Sequence, residues 1–230
     1  RAFLLGDAGH VHSPVGGQGM NTGIGDAMNL GWKLASVVRE RAPDALLDTY
    51  EPERIAFARK LVATTDRAFT GIIAEGLPGE AVRRFIMPMF FTIATRFAWS
   101  RHAFFRLLSQ TEIHYAESAL SEGNSGEVHG GDRLPWASGT RDNFEPLRSL
   151  DWQVHVYGTA DPGFAAACAE LGLSVESFAF DDAAERAGFE RDAAYLVRPD
   201  GYVGLALNRQ NADALRGYAQ RHDLRFPSLA

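Results

Sequence analysis

The 230 residues are enough for one to two domains at about 150 residues each. Apolar side chains make up 46% and charged ones 23%, ordinary globular usage that sets aside disordered and collagen-like classes. The 23 basic against 29 acidic residues give a net charge of -6, which argues against a nucleic-acid partner. The longest strongly apolar stretch without a charge, Phe85 to Thr95, is 11 residues and contains Pro88. A bilayer span needs about 18 or more, so none is expected. A single cysteine, Cys168, precludes an intramolecular disulfide and a Cys-rich zinc site, and a reducing cytoplasm is the expected compartment.

The chain starts at Arg1 rather than Met, and Ala2–Leu5 reads at once as a buried strand, so the sequence looks like a piece of a longer polypeptide. That strand runs into a glycine-rich loop from Gly6 to Gly25, followed by a helix from about Asp26 to Arg41. Ala27, Leu30, Leu34, Ala35 and Val38 recur at helical spacing and predict its buried face. Pro43 stops it. A longer helix is expected over Asp48–Glu75 until Pro78-Gly79, and another from Glu80 to about Ser121, broken at Pro88 because proline lacks the backbone donor. The aromatic run Phe85, Phe90, Phe91, Phe97, Trp99, Phe104 and Phe105 reads as core packing.

Charge and composition change near residue 130, after the loop Ser121–Gly126. There are 13 basic and 14 acidic residues up to Gly130, but 10 and 15 beyond it. Two units are expected, 1–130 and 131–230. In the second, Trp152–Tyr157 reads as a strand, Pro162–Leu171 as a helix and Ser174–Phe180 as a strand. Ala194–Val197 and Tyr202–Leu207 flank the turn Arg198-Pro199-Asp200-Gly201, and Asn211–Arg221 closes as a helix. Together these make a small α/β layer.

The chemistry concentrates in Gly6-Asp7-Ala8-Gly9-His10 and Pro14-Val15-Gly16-Gly17-Gln18-Gly19-Met20-Asn21-Thr22-Gly23. A strand ending in Gly-Asp puts a carboxylate at the C-terminal edge of a sheet, where open α/β sheets bind ligands. The glycines let backbone approach a flat ligand, and the loop feeds a helix N-terminus that offers unpaired N–H groups to an anionic edge. With Asp26-Ala27 and Asn29-Leu30-Gly31-Trp32-Lys33-Leu34, this run resembles the second FAD-binding motif of the class A flavoprotein monooxygenases. That aromatic-hydroxylase family includes 4-hydroxybenzoate and phenol hydroxylases. A weaker resemblance continues through Leu47–Arg54. Gly131–Pro135 and Leu196–Gly201 look like the thioredoxin-like C-terminal domain of the phenol-hydroxylase branch.

The resemblance implies an α/β fold: the C-terminal part of an FAD-binding Rossmann-like domain with following helices, then a thioredoxin-like domain without Cys-x-x-Cys. It implies that Asp7 binds the ribityl chain of FAD, and that Pro14, Gly16, Gly17, Gln18, Gly19, Met20 and Asn21 lie against the isoalloxazine ring. The activity it implies is oxygen transfer to an aromatic, phenolic or polyketide-like substrate, with NADH or NADPH as reductant, through a flavin C4a-hydroperoxide. The G-x-G-x-x-G fingerprint for the ADP half of FAD is nowhere in these residues. The missing N-terminal part of the same enzyme is therefore an expected partner, and the 230 residues alone are expected to bind FAD weakly or not at all and to be inactive. No catalytic residue stands out, and no metal site is expected, because His10 and His12 lack a third ligand. The second unit reads as a redox-inert packing or homodimerisation module. The rival reading is a non-catalytic α/β interaction module that retains a flavin-enzyme remnant.

Overall fold

The computed structural model describes residues 1–10, 19–55, 59, 80, 82–97, 100–101 and 113–226. Two compact units emerge. The first comprises Arg1–Ala27 and Arg54–Ile113, the second Met28–Glu53 and His114–Ala230.

In the first unit, Ala2–Leu5 belongs to no strand, although Leu5 has extended dihedrals (φ -145°, ψ 156°). A strand is defined by its ladder, and no described residue pairs with this stretch in one. The helix α1 spans Gly19–Val38, so it begins well before the predicted Asp26. Its expected apolar face is corrected too. Ala27 is exposed and Val38 is 79% exposed, while Thr22, Asp26, Asn29 and Lys33 are buried along with Leu30 and Trp32. Periodicity of apolar residues misses a face whose charges are satisfied internally.

α1 ends at Val38, short of the expected Arg41 and before Pro43 can stop it, and Glu40 turns the chain with φ +57°. Pro43 instead precedes a 3-10 turn over Asp44–Thr49 that buries Leu46 and Leu47. Residues 50–55 are helical. The remainder of the expected Asp48–Glu75 helix lies almost entirely outside the described residues. The predicted interruption at Pro88 takes the form of a change of helix type. A π-helical turn over Val82–Ile86 passes into an α-helix over Met87–Arg96, with Pro88 in its first turn, where a missing N–H costs least. Phe85 (66% exposed) and Phe97 (51%) are not core residues as expected. With Met89 and Ile93 they form an exposed stripe at i, i+4 spacing. Trp99, Phe104 and Phe105 lie outside the described residues. The helix does not reach Ser121. Residues 113–121 contain no helix, and Tyr115 N–H donates to the Gly131 carbonyl at 2.8 Å.

The second unit is built on a six-stranded sheet with β1 Glu122–Ser125, β2 Val128–His129, β3 Gln153–Tyr157, β4 Ser174–Phe178, β5 Ala194–Val197 and β6 Val203–Leu207. The order is β2-β1-β6-β5-β3-β4. The predicted loop Ser121–Gly126 instead contains β1, which runs parallel to β6 and antiparallel to β2. Its polar sequence, Glu-Gly-Asn-Ser, carries no strand signal. β3 and β4 are parallel and joined by the helix Pro162–Glu170, which Asp161 caps by accepting from Phe164 N–H at 2.8 Å. β5 pairs antiparallel with both β3 and β6. The helix Ala212–Arg221, capped by Asn211, follows. A βαβ unit and a ββα unit sharing the order β6-β5-β3-β4 make the thioredoxin-like layer expected from the sequence.

Alternation along the strands separates two cores. Val154, Val156, Ala194 and Leu196 face Phe164, Cys168, Leu215 and Tyr218. Tyr157, Tyr195, Val197 and Val203 pack with Phe178 and Phe189 on the other side. His155 is fully buried within β3, 3.0 Å from Gln153 Oε1 through Nε2, and its Nδ1 has no hydrogen-bond partner among the described residues. Burial, and secondarily the charge of Arg141, push its pKa from 6.5 down to about 3.

Below pH 6.5 the unfolded chain takes up a proton that the folded chain refuses until about pH 3. This part of the stability is present above pH 6.5 and drains away as pH falls through that window, by at most about 1.4 kcal/mol per pH unit. Urea denaturation at stepped pH should show a shallower acid slope for His155→Phe. An unchanged slope would mean that His155 does not stay neutral in the folded state.

Candidate functional site

The first unit presents a tight turn next to α1. Gly6–Ala8 forms a single 3-10 turn, and Gly6 adopts φ +58°, a left-handed conformation that favours glycine. Gly9 and His10 N–H both donate to the Gly6 carbonyl, at 2.9 and 3.0 Å. Asp7 lies in the middle of this turn and is exposed, and its carboxylate makes no hydrogen bond among the described residues.

Beneath the turn lies the buried carboxylate of Asp26. Its Oδ2 accepts from Gly6 N–H at 2.9 Å and lies 2.6 Å from His10 Nε2. Its Oδ1 accepts from Arg54 Nε at 2.7 Å, and Arg54 Nη2 donates to the Thr22 carbonyl at 3.1 Å. Burial alone would raise the Asp26 pKa, but bonds from Gly6 N–H, Arg54 and His10 outweigh it and hold the carboxyl below its usual range. One turn earlier in the helix, Gly23 lies against Gly6, and a Cβ there would come within 3.4 Å of the Gly6 Cα. Two glycines therefore let the turn settle directly on the helix backbone.

Gly19, Met20 and Asn21, expected in a loop, form the first turn of α1. Each helical glycine costs about 1 kcal/mol relative to alanine. Tertiary bonds to Thr22 and Asp26 anchor the early turns despite this. No acidic residue lies in that first turn, so no carboxylate of its own neutralises the positive end of the helix. Pro14, Gly16, Gly17 and Gln18 fall outside the described residues, as does His12. The arrangement combines an exposed acceptor suited to ligand hydroxyls with a helix N-terminus suited to an anionic ligand edge. Among the described residues no group of His, Cys, Asp or Glu is placed to hold a metal ion.

A second buried network, inside the second unit, was not anticipated. Lys33 Nζ donates to Asn29 Oδ1 and to Glu53 Oε2, both at 2.8 Å. Arg198 meets Glu53 through both Nη atoms, at 2.8 and 2.9 Å, and binds Asp200 through Nε and Nη2. Ser118 Oγ donates to Glu53 at 2.6 Å, and Trp32 Nε1 to Asp200 at 2.9 Å. The turn Arg198–Gly201 does form, with Gly201 at φ +78°, but its charged side chains point inward rather than to solvent. The available signal was the spacing of Asp26, Asn29 and Lys33 on one helical face, matched by the adjacent Glu53-Arg54.

Burial would raise the Glu53 pKa, yet Arg198, Lys33 and Asn29 hold the carboxyl far below its ordinary 4.5. This stability is present above pH 4.5 and lost as pH falls below it. Glu53→Gln leaves buried cations short of a counter-charge and should cost about 3–5 kcal/mol in urea denaturation at neutral pH. A loss below about 1 kcal/mol would contradict the network's structural role.

Residues 1–65 match the family model for an FAD binding domain. The chain is 34% identical over 250 residues to 6-methylpretetramide 4-monooxygenase from Streptomyces rimosus, which covers 96% of this chain and 44% of that protein. Among solved structures it is similar to BexE, studied for oxidation during BE-7585A biosynthesis (TM-score 0.70, 32% identity, 99% of this chain and 45% of that one). It is also similar to CabE, an aromatic hydroxylase from angucycline biosynthesis (TM-score 0.68, 32% identity, 90% and 41%). The chain thus spans somewhat less than half the length of these relatives. Over this span it is similar in sequence and in fold to FAD-dependent aromatic monooxygenases.

Proposed function

We propose that this chain is the C-terminal portion of an FAD- and NAD(P)H-dependent monooxygenase that hydroxylates an aromatic substrate of phenolic or polyketide-like chemistry. In this reading residues 1–130 contribute the flavin-ring side of the FAD-binding domain, and 131–230 form a thioredoxin-like domain that serves packing or self-association. The observation that carries it is Asp7, whose exposed carboxylate makes no hydrogen bond among the described residues and stands on a glycine-built turn in the same unit as the first turn of α1.

These residues fit FAD. Asp7 would accept from ribityl hydroxyls, and the N–H groups of Gly19, Met20 and Asn21 would face the N1–C2=O edge of the ring. By the family resemblance, Pro14, Gly16, Gly17 and Gln18 would also contact the ring. When bound, the flavin supplies the redox and oxygen chemistry, while the protein supplies binding, orientation and electrostatics. A helix N-terminus aimed at that edge favours its anionic form. No described helix is long and apolar enough to cross a membrane, and the cytoplasm is the proposed compartment.

The two proposed parts are tested separately. In the full-length enzyme, Asp7→Ala removes a charged acceptor and should weaken FAD binding about ten- to a hundredfold, read by flavin fluorescence. Unchanged affinity in a folded variant would refute the assignment, and absence of flavin from the wild-type enzyme would favour the non-catalytic interaction module. Cys168 is fully buried, and desolvation raises its thiol pKa to about 12, so it stays protonated and unreactive. Cys168→Ser should leave steady-state turnover nearly unchanged with a modest loss of stability. A large loss of turnover would give the thioredoxin-like domain a redox role.

A further inference from the structure

We infer that Asp26 is a positioning residue for the flavin-binding turn: by bridging the two ends of Gly6–His10 it sets where the Asp7 carboxylate stands. The inference rests on the reading of Asp7 as a ribityl ligand. Asp26 itself is buried and does not reach a ligand. It acts through the turn, because one oxygen, Oδ2, serves both Gly6 N–H at one end and His10 Nε2 at the other. The other oxygen is engaged by Arg54 Nε, and the same guanidinium holds the Thr22 carbonyl one helical turn earlier. The carboxylate is therefore held from below and cannot rotate to follow a turn that moves.

The turn needs such a hold. Gly6 is in the left-handed region, Asp7 is exposed, and the close approach of Gly6 to Gly23 limits approach from the helix side without fixing the turn laterally. A neutral amide at position 26 cannot replace the carboxylate. It offers one acceptor oxygen and an NH2 group, whereas the donors Gly6 N–H, His10 and Arg54 approach both oxygens of Asp26. Asp26→Asn therefore sets a donor against a donor at one end of the bridge and releases Gly6 or Arg54.

The test is a double-mutant cycle in the full-length flavoprotein, with FAD affinity read by fluorescence and folding checked by thermal denaturation. Asp26→Asn should weaken FAD binding about tenfold or more, while in the Asp7→Ala background it should add no more than about twofold, because its effect passes through Asp7. His10→Ala cuts one tether and leaves the Asp26–Arg54 pair intact, so it decides the matter if Asp26→Asn does not fold. It should cost several-fold in affinity, be silent in the Asp7→Ala background, and be rescued by His10→Gln, which can still donate. If Asp7→Ala weakens FAD but these variants leave affinity unchanged, or add their full effect to it, Asp26 does not position Asp7. If Asp7→Ala itself leaves affinity unchanged, the ribityl assignment fails and this inference falls with it.

Discussion

A polar stripe on α1 has to be neutralised before anything else in this chain can be placed. Thr22, Asp26, Asn29 and Lys33 follow one face of the helix, and all four are buried. Unpaired, a single buried charge would cost more than a small domain has to spare. Two residues adjacent in sequence, Glu53 and Arg54, supply the counter-charges: Arg54 meets Asp26, and Glu53 meets Lys33 and Asn29. A helix rich in glycine near its start is thereby held by tertiary bonds rather than by intrinsic propensity.

The same pairing has two consequences, one in each unit. In the first, the Asp26 carboxylate is left with an oxygen directed at the Gly6 turn, so a structural ion pair also supports the turn that carries the exposed Asp7. In the second, Glu53 gathers Lys33, Arg198 and Ser118, and Arg198 brings in Asp200. Arg198 also stacks near Trp32, Tyr115 and Tyr202 at 5.2 to 5.8 Å, where a planar, weakly hydrated cation suits an aromatic surround. Breaking such a buried network is costly because the partners left behind stay charged and dry.

Much of this was legible in the sequence where a local rule decided the outcome. The strands of the thioredoxin-like layer alternate two cores, its helices start at Asp161 and Asn211 caps, and its hairpin turn contains Pro199 and Gly201. Each of these is short-range chemistry. What was misread depended on partners far away in the chain. Ala2–Leu5 is apolar enough for a strand but joins no ladder among the described residues, and β1 is polar enough for a loop but pairs with β6. Apolar spacing predicts a different buried face for α1, because it cannot register a charge cancelled by a residue twenty or more positions away. The resemblance marked Asp7 and the glycines but gave Asp26, His10 and Arg54 no separate role. Their part follows only from the hydrogen bonds that join them.

The Gly6–His10 turn and the first turn of α1 are the proposed face for the flavin ring and ribityl chain. Amide hydrogen exchange on the full-length protein, with and without FAD, tests it directly, since exchange reports local opening of individual backbone segments. Protection on binding FAD should appear at residues 6–10 and 19–21, while β3, β5 and β6 of the thioredoxin-like layer change little. Unaltered exchange at both turns in a protein that demonstrably binds FAD would contradict the proposal.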